Sequence, residues 1–128
     1  MKLLLDTHTF LWWITDDSQI SAKAHELMGD SQNDLYWSTA STWEVAIKYA
    51  LGRLPLPEAP ATFLPAELGK NRIESLPIVD THAYQAGLLP RHHRDPFDRM
   101  LVAQAQVETL GLISNDPKIH LYNVNVYW

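Results

Sequence analysis

The chain has no cysteine. A disulfide framework and a thiolate metal site are therefore both excluded. It also lacks an apolar run long enough to span a membrane. The opening MKLLLD holds three leucines before Asp6, too few for a signal-peptide core. These absences favour a cytoplasmic protein with no membrane association. Basic residues are in deficit, 10 Lys and Arg against 15 Asp and Glu, for a net charge of −5. That argues against a generic nucleic-acid binder, which is usually basic. It leaves room for an enzyme that meets nucleic acid locally, through metal ions and a few cations. No G-x-S-x-G, P-loop or G-x-G-x-x-G pattern occurs, which removes serine-hydrolase and nucleotide-binding readings. There is no internal repeat and no low-complexity segment.

What is present points to one domain over residues 1–128, large enough for a single well-buried core. Lys2–Asp6 is a short apolar run suited to a buried parallel strand. Ile20, Ala24, Leu27 and Met28 follow a helical period that Gly29 ends. Leu35–Ser38 reads as a second strand. Ser41 is expected to open a helix with Trp43, Ile47 and Ala50 on one stripe, stopped at Gly52. A proline-rich loop leads to a short helix near Pro60–Leu68. Leu76–Val79 is expected to be the third strand, with Asp80 capping a helix to about Leu89. Pro96 starts a long helix to Leu110, closed by Gly111. Leu112–Ser114 is a short strand, and the alternating tail YNVNVYW reads as an edge strand. Alternating strands and helices predict an α/β fold with a mainly parallel sheet. In such sheets, sites form outside the carboxyl ends of the strands.

Four carboxylates stand at such ends. Asp6 closes the first strand, although it could serve as a turn or N-cap residue. Asp116 precedes Pro117 and so is held extended at the end of the strand Leu112–Ser114; an Asn-Asp-Pro turn is the plain alternative. In RHHRDPFDRML, Pro96 suits the first helical position and Asp95 the N-cap. Asp98 then lies in the first turn, where it favours the helix dipole. Ser41-Thr-Trp-Glu44 fits a capping box, and Glu44 can also pair with Lys48 one turn on. Each acid alone has a structural explanation. Taken together, they come from two strand ends and two helix starts that a parallel fold can bring to one edge. Four carboxylates in one pocket repel unless a cation neutralises them. Hard oxygen donors favour Mg²⁺ or Mn²⁺. Such ions serve phosphodiester hydrolysis.

The motifs LLLDTH, STASTWEVAIK, DPFDRMLVAQA and ISND, in this order and spacing, resemble the PIN-domain ribonucleases, and most nearly the VapC-type toxins of bacterial toxin–antitoxin modules. The resemblance implies a PIN-like three-layer α/β/α domain around a five-stranded parallel sheet. It implies an endoribonuclease dependent on Mg²⁺ or Mn²⁺, leaving 5′-phosphate and 3′-hydroxyl ends. By position, the family's catalytic and metal-binding acids fall on Asp6, Glu44, Asp98 and Asp116, and Ser114 takes the place of a supporting hydroxyl residue. It also implies a cognate antitoxin protein as partner, and commonly a homodimer.

Arg91, Arg94 and Arg99 surround Asp98 in sequence and are expected to bind RNA phosphates as a local cationic rim. His92 and His93 are disfavoured as metal ligands, because adjacent side chains seldom converge on one ion. Trp12, Trp13, Trp37, Trp43 and Trp128 are expected in a core or an interface more than against bases. Phe10, Trp12 and Trp13 are candidates for an antitoxin groove. Two alternatives remain open here: a catalytically inactive PIN-like RNA-binding module, and a receiver-type Mg²⁺-binding regulatory domain with Asp80 as phospho-acceptor.

Overall fold

The computed structural model describes residues 1–128. The chain runs β1 (Lys2–Leu5), α1 (Thr7–Ile14), α2 (Ala22–Gly29), β2 (Asp34–Ser38), α3 (Thr39–Ala50), α4 (Pro60–Lys70) and β3 (Ile73–Leu76). It continues through α5 (Asp80–Leu88), α6 (Pro96–Glu108), β4 (Gly111–Ile113), a 3₁₀ turn at Pro117–Leu121, and β5 (Val126–Tyr127). The five strands form one sheet in the order β3-β2-β1-β4-β5, and every pairing is parallel. The α/β reading and the central five-stranded sheet are thus borne out.

The pleat explains why β1 is apolar throughout. Leu3 and Leu5 join one buried cluster with Phe10, Leu27, Trp37, Val45, Leu64 and Ile113. Leu4 points the opposite way, into a second cluster with Leu101, Val102, Ala105, Leu112, Ile119 and Tyr122. Helices α1 to α4 contribute to the first cluster and α6 with the 3₁₀ turn to the second, giving three layers. With both faces covered, a continuous hydrophobic strand is the stable choice. Each fully buried Leu contributes about 1.5–3 kcal/mol by leaving water.

Several boundaries differ from expectation, for identifiable reasons. The third strand is Ile73–Leu76, not Leu76–Val79. Pro77 cannot donate to a ladder, and Ile78 and Val79 lie exposed beyond it. Helix α3 begins directly after β2 with Ser38 as its N-cap, its side chain accepting from the Ala40 N–H at 3.0 Å. Ser41 is therefore inside the helix and the Ser41–Glu44 capping box does not exist. Val79 precedes α5 and Asp80 is its first residue. Helix α6 ends at Glu108 with Thr109 in the left-handed conformation (φ 56°), so Gly111 does not close it. Gly111 instead starts β4, where a Cβ would stand 2.7 Å from the Tyr127 ring and 3.0 Å from Leu3. Only glycine lets β5 lie against this edge. No helix is long and apolar enough to cross a membrane.

Candidate active site

The carboxyl ends of β1 and β4 are neighbours, with Leu5 beside Ile113 in the register. The next residue of β1's chain is Asp6, whose N–H donates to the Ile113 carbonyl at 3.1 Å. Asp6 occupies the N-cap position of α1, but its side chain makes no capping bond. It turns inward instead, and its Oδ2 accepts from the Ser114 hydroxyl at 2.6 Å. Ser114 Oγ in turn accepts from the Asp116 N–H at 3.1 Å. One buried serine thus links the two strand-end acids.

Glu44 is the sixth residue of α3 and is buried. Its Oε1 accepts from the Thr7 hydroxyl at 2.7 Å and its Oε2 from Lys48 Nζ at 2.7 Å. Thr7 also shares a 2.8 Å hydrogen bond with Ser41. The i,i+4 pair with Lys48 is therefore real, while Thr7 ties Glu44 to the end of β1. Asp95 is the N-cap of α6, accepting from the Phe97 N–H at 2.8 Å. Asp98, in the first turn, makes no hydrogen bond of its own. Asp116 divides its oxygens: Oδ1 accepts from the Lys118 N–H at 2.9 Å, which starts the 3₁₀ turn, and Oδ2 faces His93 Nε2 at 2.7 Å.

These acids are close enough to perturb one another. Burial pushes the Asp6 carboxyl above its ordinary value, with the charges of Glu44 and Asp116 adding, against the Ser114 hydrogen bond and His8. Asp98 is raised to about 7, first by burial and then by the charges of Asp95, Asp6 and Glu44. Asp116 behaves oppositely. Burial raises it, but the hydrogen bonds from His93 and the Lys118 N–H, with the positive charges of His93 and Lys118, outweigh that and hold it below the usual range. Asp6, Glu44, Asp98 and Asp116 are thus near enough to feel one another's charge, but only Asp98 and Asp116, with His93, have ligand atoms within 4.8 Å of one another; Asp6 and Glu44 stand outside that group. The oxygen donors of these acids are of the kind a hard divalent cation takes, and such a cation would relieve the repulsion that raises Asp6 and Asp98.

His93 is the residue that sequence reasoning set aside. It is buried, and one of its ring nitrogens lies with carboxylate oxygens of Asp98 and Asp116 in a group spanning at most 4.8 Å. Tyr122 stacks on it, and the Tyr122 oxygen lies 2.9 Å from Nδ1 and accepts the His93 N–H at 3.1 Å. Thr7 was missed too; its place after a strand-ending acid was the available signal.

The basic residues separate. Arg99 donates to the carbonyls of Ala86, Leu89 and Pro90 at 2.7, 3.1 and 2.9 Å. Its guanidinium clamps the end of α5, while it lines the same cleft as Arg91 and Arg94. Arg91 and Arg94 are exposed, make no ion pair, and line an 840 Å³ cleft beside His93 and the first turn of α6. Asp80 is exposed beyond the edge strand β3, far from the receiver-type arrangement that would need it at a central strand.

The tryptophans also separate. Trp37 is fully buried, Trp13 donates to Asn71 Oδ1 at 2.9 Å, and Trp12 packs on Trp128. Trp43 is 64% exposed and so lies outside the core.

Comparison with known proteins agrees with this geometry. The chain is 38% identical over 60 residues to Ribonuclease VapC16 of Mycobacterium tuberculosis, covering 47% of this chain and 41% of that protein. The chain thus matches well under half the length of that relative. The fold resembles VapBC2 from Rickettsia felis, solved bound to a DNA fragment from its promoter, with a TM-score of 0.71 at 17% identity over 98% of this chain and 97% of that one. It also resembles VapBC-1 from nontypeable Haemophilus influenzae, with a TM-score of 0.64 at 16% identity over 98% and 96% of the two chains. The family pattern of the PIN domain matches residues 3–125, the span that contains all four acids. A model of the PIN domain that matches nearly the whole chain settles the family: the chain belongs to the PIN domain family.

Proposed function

We propose that this protein is an endoribonuclease dependent on Mg²⁺ or Mn²⁺, acting in the cytoplasm as the toxin of a toxin–antitoxin pair. The observation that carries the reading is the convergence of Asp98 and Asp116 with His93 within 4.8 Å, with Asp6 and Glu44 close enough for their charges to reach Asp98. Carboxylates so placed bind a divalent cation in preference to protons near neutral pH. A bound cation would offset negative charge building on the phosphoryl oxygens during in-line displacement.

The chain's own residues have separable tasks in this reading. Ser114 fixes one oxygen of Asp6 and the backbone of Asp116. Thr7 and Lys48 fix Glu44. Asp98 stands in the first turn of α6 with its carboxylate free of side-chain hydrogen bonds, and in this reading it would bind the cation or take a proton from the attacking water. Arg91 and Arg94 supply the phosphate contacts that the rest of an acidic surface does not.

A partner follows from the same charge pattern. A basic inhibitor segment inserted among the acids would silence them, and this suits an antitoxin. The relative named a ribonuclease and the VapBC complexes support that partner. A homodimer is the expected assembly. The test is cleavage of single-stranded RNA oligomers by the purified protein with Mg²⁺, with EDTA, and by Asp98→Asn. Cleavage that needs Mg²⁺ and Asp98, leaving 5′-phosphate ends, is the expected result. Cleavage undiminished by EDTA or by the substitution would overturn the metal mechanism, and no cleavage of any RNA would favour an inactive binding module.

A further inference from the structure

We propose that Trp43 and Phe97 form a stacking platform for one unpaired RNA base next to the scissile phosphate. The inference rests on the ribonuclease reading and adds a substrate-positioning element to it.

Of the five tryptophans, Trp43 alone leaves most of its surface in water, at 64% exposure. It is not a stray surface residue. Its ring meets Phe97 at 5.5 Å between centroids and 79° between planes, an edge contact that fixes the indole while leaving it largely uncovered. Phe97 is half-buried in the first turn of α6. The two aromatics therefore join α3 to α6 on the flank of the acidic cluster. Each stands one residue before an acid, Trp43 before Glu44 and Phe97 before Asp98.

The neighbourhood says what would cover them. Pro96 and Met100 line the cleft that Arg91 and Arg94 make cationic. At 100° per residue, Phe97 falls between Pro96 and Asp98 on the circumference of α6. Around one helical turn the surface thus changes from phosphate-binding cations, to an aromatic pair, to the acids of the proposed chemistry. That order matches a nucleotide whose base lies on Trp43 while its phosphates reach the arginines and the acids. An unpaired base presents its π-face to such a pair, whereas a duplex hides it. The substrate class is accordingly a single-stranded segment or loop.

The test is an abasic scan. A single-stranded RNA cut by the wild-type protein is remade with one base at a time removed and the backbone kept. Removing one base adjacent to the cut is expected to lower wild-type kcat/KM about tenfold. Trp43→Ala is expected to lower kcat/KM on intact RNA by about the same factor. It should be indifferent to that abasic position, and Trp43→Phe should restore most of the loss. Thermal melting checks that the variants fold, and the scan on wild type needs no variant. A flat scan, or a Trp43→Ala variant that cuts as wild type, overturns the platform while leaving the ribonuclease reading intact. Conversion of a dimer to a monomer by Trp43→Ala, with an unchanged abasic profile, overturns it in favour of a contact between copies. No cleavage by wild type sinks both readings.

Discussion

Two buried imidazoles each hold a carboxylate. His93 faces Asp116 at 2.7 Å, and His82 faces Glu108 at 2.9 Å. Their hydrogen-bond patterns match. His82 Nδ1 accepts the Val79 N–H at 3.1 Å, so its proton is on Nε2, directed at Glu108. His93 Nδ1 lies 2.9 Å from the Tyr122 hydroxyl, whose oxygen accepts the His93 backbone N–H, and Nε2 donates because the facing carboxylate can only accept. Its proton also sits on Nε2, directed at Asp116. The difference lies in what stands behind each carboxylate. Glu108 is alone at the rim of the α5–α6 contact, whereas Asp116 belongs to a set of acids that repel one another. The same pair of groups is a clasp in one place and part of a charged site in the other.

The largest expected effect falls on the charged site alone. Asp98→Asn should lower RNA cleavage by about a thousandfold, on the order of losing a principal electrostatic stabiliser. The same change should stabilise the metal-free protein at neutral pH. The folded carboxyl of Asp98 is raised to about 7 from 3.8, so the folded state binds more protons than the unfolded one between these values. By linkage, the stability of the metal-free protein falls as pH rises through that window and levels above it. Asp6 is raised too and contributes in the same direction. Asp116 is lowered, so its contribution is complete above 3.8 and is lost only in more acidic solution. In EDTA, the Tm of wild type should fall between about pH 4.5 and about pH 7.5, and that of Asp98→Asn should fall less. Equal slopes for the two proteins would refute the assignment of the raised group.

The clasp should break in the opposite sense. His82 is 1% exposed, and it connects Val79, Gln104 and Glu108. His82→Ala removes ring volume and leaves the Val79 N–H without its acceptor. A loss of about 2–4 kcal/mol in chemical denaturation is expected, with cleavage per folded molecule unchanged. His93→Ala should reverse this balance. Cleavage should fall about 10–100-fold and need more Mg²⁺, as when a group orienting a metal ligand is removed. Its stability cost should stay below that of His82→Ala, because Asp116 remains 27% exposed and can turn to water. If His93→Ala melts earlier but cuts as well as wild type, both histidines are clasps and the distinction fails.

The sequence carried one of these histidines no further than a basic run. His92 and His93 are adjacent, and nothing local says which is buried. Tyr122, 29 residues beyond His93, touches both rings but hydrogen-bonds only His93. The acids were more legible. Asp6 and Asp116 follow buried strands, and a parallel sheet fixes which ends coincide. Asp95 and Asp98 sit as the proline dictates, one capping and one free. The start of α3 was misplaced because STAST offers two hydroxyl caps three residues apart, and the one touching β2 wins. The third strand was misplaced because Ile78 and Val79 look like strand residues. The true strand, IESL, carries a charged Glu74 that only an edge position tolerates. Thr7 is marked only by its place after a strand-ending acid, and nothing local names Glu44, 37 residues on, as its partner.

The smallest effect gives the sharpest contrast, because one chemical change can be made at both carboxylates. Glu108→Gln keeps an oxygen that can accept from His82 Nε2–H and removes only a charge that is 41% exposed. Exposed pairs of this kind are worth about 0–1 kcal/mol, so a stability change within about 0.5 kcal/mol and unaltered cleavage are expected. Asp116→Asn likewise keeps an acceptor for His93, yet it removes a charge from the set proposed to hold the cation. Cleavage should then collapse while the fold persists. Equal consequences at the two positions would mean that hydrogen bonding alone, and not the gathered charge, distinguishes this edge of the sheet.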